Sequence, residues 1–563
     1  MLTTLSEMLT EHRRAAVRDK RFGTALLFIA MALYCVIGFT GFDPARQDEA
    51  YIFGIILEYW RGGSWIVPHL GGIPFMEKPP LYYLLGAASA RLFSPWLPLH
   101  DAARLASALL TALTAGATAA SARLLWGAGH GRFAALALLS CLGLAVPAHM
   151  MLTDNAQLVG TAIALLGFAA VARGKPWAGL LLGTGAGVAF LAKGLFGPGI
   201  IGSTAVLLLV FPSWRRREYA VALALAALAA LPWLCIWPLA LYRTAPSLFF
   251  EWLTENNFGR FLGYASPHLN AVRDNRFWYT TLLWATLPAL PLALLCMRRL
   301  RQRWQREPAV QIGLAMSAAI LGILSVSSTL RAIYALPLLP ALALIAAPAI
   351  RDLPESLNRF TAFSARTFFV AFVALMLALS IASAQRWLPP SLAAIPPLAD
   401  RATLLGAAAL IAFWFTCQWH WRTQRWRGGA AWYCSLFCAL ALFSMLWLPA
   451  LQARSSYRPL FEQLPAAMAG DGCINSWGLG ESQRGMLDYV AQLQTVPVAK
   501  LTESYCDTLL IDVSARDELP PLSPEWNQIW SGKRSDDAHE RFLLYTRNRI
   551  DIGNRTTQLI TDS

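Results

Sequence analysis

The residues best suited to chemistry sit in one polar stretch, Asp43 to Pro80, which follows the first long apolar run. Asp48 and Glu49 stand near its start, and Glu77-Lys78-Pro79-Pro80 closes it. A carboxylate here can serve as a general base, which needs to lie within reach of an attacking group. It can equally sit in the first turn of an amphipathic helix over Tyr51 to Trp60 and complement the helix dipole. Lys78 can snorkel at a membrane interface, or it can hold a lipid phosphate as a point charge. The two prolines restrict the backbone and would keep that lysine in place. Charged groups at a membrane surface are costly to desolvate, so both clusters are candidates for function.

Further candidates lie at the ends of apolar runs. Asp154 follows Met150-Met151-Leu152-Thr153, where a helix N-cap and a site role both remain open. Lys193 ends a glycine-rich span, and an ionisable group at that depth points to a lined cavity. Within that span, Gly183-Thr184-Gly185-Ala186-Gly187 fits close helix packing better than a dinucleotide loop. Arg331 and Tyr334 open a later span, while Arg260, Arg273 and Arg276 bring positive charge to the Tyr242–Asn275 loop. Glu77 and His268 make a thin pair of ligands for a divalent cation.

The elements that must position these residues are membrane helices. The 563 residues are 56% apolar and 14% charged, the composition of a polytopic α-helical membrane protein. The formal charge of +14 is gathered in short clusters between apolar runs, such as Arg215-Arg216-Arg217, Arg298 to Arg306 and Arg422 to Arg427. That is the positive-inside pattern, and no nucleic-acid partner is expected. The 22 Trp fit interfacial belts better than base stacking. Spans of about 18–24 residues fall near 22–42, 101–125, 133–152, 155–172, 176–195, 197–213, 219–242, 276–297, 309–328, 331–350, 366–387, 402–419 and 432–451.

About thirteen spans result, with the basic Arg13 to Arg21 segment in the cytoplasm ahead of a retained first helix. Counting Pro80–Phe93 as a further span would put every later arginine cluster outside, so it is read as a helix lying in the interface. The 43–100 loop, the Tyr242–Asn275 loop and the tail then face the periplasm. Residues 1–451 form the expected transmembrane domain, with the 43–100 loop as its catalytic periplasmic loop. Residues 452–563 form a small periplasmic α/β domain, with strands at Gly472–Gly478, Thr508–Val513 and Arg541–Tyr545. Cys473 and Cys506 lie in that domain and can pair on an oxidising face. Gly478 and Gly480 lack the remaining fingerprint of a nucleotide loop, so no nucleotide cofactor is expected.

An ordered series of motifs carries a resemblance. It runs through Arg46-Gln47-Asp48-Glu49, Gly63-Ser64-Trp65-Ile66-Val67-Pro68, Glu77-Lys78-Pro79-Pro80-Leu81-Tyr82 and Lys193-Gly194. It continues through Glu255-Asn256-Asn257-Phe258-Gly259-Arg260-Phe261 and Arg331-Ala332-Ile333-Tyr334-Ala335-Leu336-Pro337. Over residues 20–350 the chain resembles the C-type (GT-C) glycosyltransferases that use a polyprenyl-phosphate sugar donor. It looks most similar to the lipid A aminoarabinose transferases and the related protein mannosyltransferases.

The resemblance implies an inverting transfer at the periplasmic face of the bacterial inner membrane, with 4-amino-4-deoxy-L-arabinose passing from undecaprenyl phosphate to lipid A. Asp48 would be the catalytic carboxylate, with Glu49 and Asp154 as further acidic candidates. Lys78, Arg273, Lys193, Arg331 and Tyr334 would hold the donor phosphate; Tyr51, Tyr82 and Arg260 would contact substrate. Glu77 and His268 would be candidate metal ligands. Membrane lipids, the lipid-linked donor and lipid A are the implied partners of a monomer. Two positions depart from the pattern: Tyr51 stands where the aminoarabinose enzymes carry Arg, and Leu330 where they carry Lys. A protein or another envelope glycan is the alternative acceptor. A secondary transporter is the alternative of another class, although the paired broken helices and internal repeats it requires are not seen.

Overall fold

The structure is a computed structural model that describes residues 22–44, 47–265, 273–388, 396, 400–468, 472–514, 522–534 and 540–547. The described residues divide into two compact units. The first takes those within Met1–Phe42, Gly63–Pro68 and Phe75–Ala450, and the second those within Asp43–Gly62, His69–Pro74 and Leu451–Ser563.

The first unit is helical because its long Leu- and Ala-rich runs can satisfy backbone polar groups in lipid only within a helix. Among the described residues, seven helices are long and apolar enough to cross a membrane: Leu99–Trp126, Thr153–Ala172, Arg217–Thr244, Pro308–Val326, Glu355–Ala384, Arg401–Trp421 and Arg427–Leu446. The pair His130–Leu139 and Leu142–His149, bent by 72°, makes an eighth if it is one span. Phe22–Tyr34, Phe196–Leu208 and Leu338–Arg351 are shorter apolar helices. The span expected at 276–297 is broken into Asn275–Trp278, Thr281–Ala285 and Ala289–Arg299. Pro288 interrupts it, since proline donates no backbone hydrogen bond and crowds the preceding turn. Leu81–Phe93 is a helix of 13 residues, about 20 Å long at 1.5 Å per residue and short of a hydrocarbon core of about 30 Å.

Burial separates inner helices from outer ones. Thr153–Ala172 is 83% buried over its most apolar stretch, against 17% for Arg217–Thr244 and Glu355–Ala384. The inner helix reaches that density through glycine: a Cβ on Gly160 would stand 2.6 Å from the Gly185 carbonyl oxygen, and one on Gly185 equally close to that of Gly160. The glycine-rich stretch is therefore a packing surface. The loop arginines do more than set charge. Arg173 donates to the carbonyls of Leu124 and Leu125 at 2.8 and 2.7 Å, Arg216 to that of Val171 at 2.7 Å, and Arg299 to that of Asp352 at 2.8 Å. Each satisfies orphan carbonyls at a helix C-terminus, where the dipole also favours a cation.

The second unit is built on two sheets. β1 (His69–Leu70) and β2 (Ile73–Pro74) form an antiparallel hairpin. The larger sheet holds β3 (Ile474–Trp477), β4 (Val496–Pro497), β5 (Thr508–Ser514), β6 (Trp526–Lys533) and β7 (Glu540–Arg547) in the order β4-β3-β5-β7-β6. β3 runs parallel to β4 and β5, with Ile474 beside Thr508, and β7 is antiparallel to β5 and β6. Leu509, Ile511, Leu543, Tyr545 and Trp526 form the core on one face. Gly478, at φ +79, turns the chain from β3 into the helix Glu481–Val490. A disulfide joins Cys473 and Cys506, with Cα atoms 5.4 Å apart, just ahead of the neighbouring strands β3 and β5.

The helix Gln47–Trp60 packs in this unit against Glu481–Val490. Residues 43–62 and 69–74 of the first loop thus group with the tail, whereas the sequence reading assigned the whole loop to the membrane part. Their buried face needs a soluble partner, and the tail helix supplies one.

Candidate active site

In the helical unit the functional side chains gather at two places. At the first, Glu77 lies between two cations. Its Oε1 accepts from Arg260 Nη1 at 2.6 Å, and its Oε2 is 3.4 Å from Lys78 Nζ. All three side chains are between 13 and 19% exposed, so their charges are poorly screened. Met76, just before Glu77, is seated in an apolar cluster with Val67, Phe190, Trp237, Leu241 and Trp252. Pro79 and Pro80 then lead straight into the Leu81–Phe93 helix. That helix is locked to Leu99–Trp126 by Tyr82, whose hydroxyl lies 2.7 Å from Ser107 Oγ, and by Ser89, which donates to the Ala102 carbonyl at 2.7 Å.

At the second place, Lys193 Nζ donates to Asp154 Oδ1 and lies 4.3 Å from the centre of the Tyr334 ring. The pair is 13 and 9% exposed. Asp154 opens the Thr153–Ala172 helix and Lys193 closes Gly179–Lys193, so close glycine packing of these helices presents both groups. Leu81–Phe93 touches both helices, which puts the two ionic groups on one frame.

Asn257 closes that frame. Its side-chain oxygen accepts from Leu195 N–H at 3.2 Å, two residues after Lys193, and its amide donates to the Trp252 carbonyl at 2.9 Å. Gly194, at φ +72, makes the turn between them. Asn257 belongs to a π-helical stretch, Trp252–Gly259, that delivers Arg260; such widened turns recur at functional sites. In the sequence, Asn257 is one polar residue among several in the motif Glu255 to Phe261. A half-buried amide beside a lysine-glycine turn leaves no mark in composition or periodicity.

Within these two ion-paired groups the cations Lys78, Arg260 and Lys193 outnumber the carboxylates Glu77 and Asp154 by one. Preorganised cations of this kind stabilise an anionic leaving group without reorganising during reaction. A divalent ion at Glu77 would have to displace Arg260 or Lys78 from the carboxylate. Among the described residues no group of three His, Cys, Asp or Glu side chains is placed to hold one. His268 lies outside the described residues.

The remaining expected residues fall elsewhere. Arg273 donates to the carbonyls of Ser325, at 3.1 Å, and Ser327, beyond the last turn of Pro308–Val326, and to Asn275 Oδ1 at 3.0 Å. Its guanidinium serves helix termination, and Arg260 is the arginine beside Lys78. Tyr82 is fully buried, and so is not a contact face for substrate in this state. Arg331 precedes the 3-10 turn Ala332–Ala335 that carries Tyr334. In the second unit, Asp48 and Glu49 occupy the first turn of Gln47–Trp60, where the dipole favours carboxylates; Asp48 is half-buried and Glu49 buried. Tyr51, in the next turn, is 3% exposed.

Fold and site together are those of a multi-spanning membrane protein with paired charges on a half-buried polar frame. Residues 77–237 match the family described as dolichyl-phosphate-mannose-protein mannosyltransferase. Among curated proteins, the chain is 26% identical over 351 residues to undecaprenyl phosphate-alpha-4-amino-4-deoxy-L-arabinose arabinosyl transferase 2 of Pseudomonas fluorescens, covering 59% of this chain and 57% of that one. It is 29% identical over 350 residues to the corresponding transferase of Serratia proteamaculans, covering 59 and 60%. The matches thus span about three fifths of these relatives' length. Among solved structures, ArnT from Cupriavidus metallidurans bound to undecaprenyl phosphate superposes with a TM-score of 0.65 at 16% identity, covering 94% of this chain and 97% of that one. Its apo state gives 0.67 at 18% identity, covering 94 and 98%. The chain has the GT-C fold of those structures.

Proposed function

We propose that this chain is an inverting glycosyltransferase of the bacterial inner membrane, moving 4-amino-4-deoxy-L-arabinose from undecaprenyl phosphate to lipid A at the periplasmic face. The observation that carries the reading is the frame on which Lys78, Arg260 and Lys193 outnumber their paired carboxylates, placed among membrane helices where an anionic lipid headgroup would lie. In this reading an oxygen of the acceptor attacks C1 of the sugar. The bond from C1 to the phosphate oxygen breaks, and undecaprenyl phosphate departs with the electron pair. Lys78, Arg260 and Lys193 hold the charge that develops on it. Asp48 takes the acceptor's proton. The leaving group is a lipid phosphate, so the chemistry calls for no nucleotide-binding fold. The acceptor could instead be a protein, and the family match to protein mannosyltransferases favours keeping that second reading.

Mass spectrometry of envelope lipids tests the proposal, comparing cells with and without this protein and cells carrying Asp48→Asn. A pentosamine on lipid A that needs the protein and disappears in the variant is the expected result. Unchanged lipid A with altered glycoproteins would move the acceptor to protein. Full transfer by Asp48→Asn would remove Asp48 from its role.

A further inference from the structure

We propose that the tail domain is the positioning device for the acidic first-loop helix, with Arg61 and Asp488 as positioning residues. The inference rests on the reading above, in which that helix carries the catalytic Asp48. The helix Gln47–Trp60 is held from its midpoint to its far end by residues more than 400 positions away in sequence.

At its far end, Arg61 Nη1 reaches both carboxylate oxygens of Asp488, at 2.7 and 2.8 Å, and its Nη2 reaches the Asp488 carbonyl at 3.4 Å. The Asp488 side chain is 2% exposed, so this charge depends on its arginine. In the middle, two glycines let the helices meet: a Cβ on Gly54 would stand 2.7 Å from the Gly485 Cα. The Phe53 ring meets Tyr489 edge-on, with centroids 4.7 Å apart. Glu58 accepts from Gly72 N–H at 2.9 Å and from Gln494 at 3.1 Å, tying in the β1-β2 hairpin. On the approach to the helix, Asp43 takes a forked contact from Arg458, at 2.8 to 3.2 Å, and a hydrogen bond from Ser456 at 2.7 Å. These Asp43 bonds hold the Arg458 guanidinium above its ordinary range.

A solvated loop helix held only by its chain connections would wander. This one is clamped before its first turn, at its midpoint and after its last turn, all by the tail. Such clamping matters to catalysis because misplacing a reacting group by about 1 Å can lose about a hundredfold in rate.

The test uses the full chain in detergent, with Arg61→Gln, Arg61→Lys and Gly485→Val, read by amide hydrogen exchange and by transfer kinetics. Arg61 is one-third exposed, so its variants should fold even if Gly485→Val does not. Arg61→Gln should speed exchange over Ile52 to Tyr59 and lower kcat by about 10- to 100-fold, with affinity for the lipid-phosphate donor unchanged. Arg61→Lys should recover part of both. Unchanged exchange in Arg61→Gln and Gly485→Val would overturn the clamp, and faster exchange with unchanged kcat would overturn its role in the reaction. If the wild type and Asp48→Asn transferred alike, the base assignment would fail instead, and the exchange measurement would still decide whether the tail holds the helix.

Discussion

The Asp154–Lys193 pair separates structural from chemical roles at the level of single residues. Both side chains are nearly buried and bonded to each other, with the Tyr334 ring beside the ammonium. Removing one partner strands the other charge, which costs about 3–5 kcal/mol, whereas replacing both with apolar groups of similar size is often neutral. Asp154→Leu alone should therefore lower the thermal unfolding temperature in detergent sharply, and Asp154→Leu with Lys193→Met should recover it. Sugar transfer should stay low in the recovered double variant, because the leaving phosphate has lost a cation. Recovery of transfer together with stability would make the pair purely structural. Much of this site was legible in the sequence: Glu77, Lys78, Asp154 and Lys193 stand out as charges in apolar surroundings. Arg273 shows what the sequence leaves open, because a loop arginine that caps a helix and one that holds a ligand look the same until the carbonyl partners are seen. Tyr82, a substrate-contact candidate through its motif alone, has its hydroxyl bonded to Ser107 in the interior, a burial that the motif does not reveal.

At the scale of elements, apolar runs announced the helices, and period and glycine content announced the tail strands β3, β5 and β7 but not β4 or the largely exposed β6. The short helix after Pro80 was readable in the same way, whereas the break at Pro288 was not, because the apolar composition of 276–297 suggests one continuous span. The partner of Gln47–Trp60 was not, because its contacts arise from residues hundreds of positions apart and no local pattern encodes them. The tail's own construction supports a further prediction. Cys473 and Cys506 close a loop across a separation of 33 residues, which restricts the unfolded chain by about 3–4 kcal/mol in the loop-entropy treatment. Cys473→Ser with Cys506→Ser should lower tail stability by roughly that amount, seen as a shifted denaturant midpoint for the tail tryptophans. In the native protein taken from cells, neither thiol should react with a maleimide before reduction.

The whole molecule carries a constraint on topology that does not depend on charge. Residues 43–62 and the tail fold into one unit, so they lie on the same side of the membrane and an even number of crossings separates them. Counting Pro80–Phe93 as a span would make the expected number odd, and the helix found there is too short to cross. The arginine loops then choose the side. Arg173, Arg216 and Arg299 cap helix ends in the loops that the positive-inside pattern assigns to the cytoplasm, and under that expectation the first loop and tail face the periplasm. Impermeant maleimide labelling of single cysteines in intact cells decides this. Asn527→Cys on the exposed face of β6 should label directly, and Gln302→Cys among the Arg298–Arg306 arginines only after permeabilisation. The reverse pattern would put the acidic helix in the cytoplasm, where nucleotide-activated sugars are at hand and a lipid-phosphate donor has no advantage. Labelling of both sites in intact cells would overturn the expected span order between that arginine loop and the tail, because it would place the two on one face.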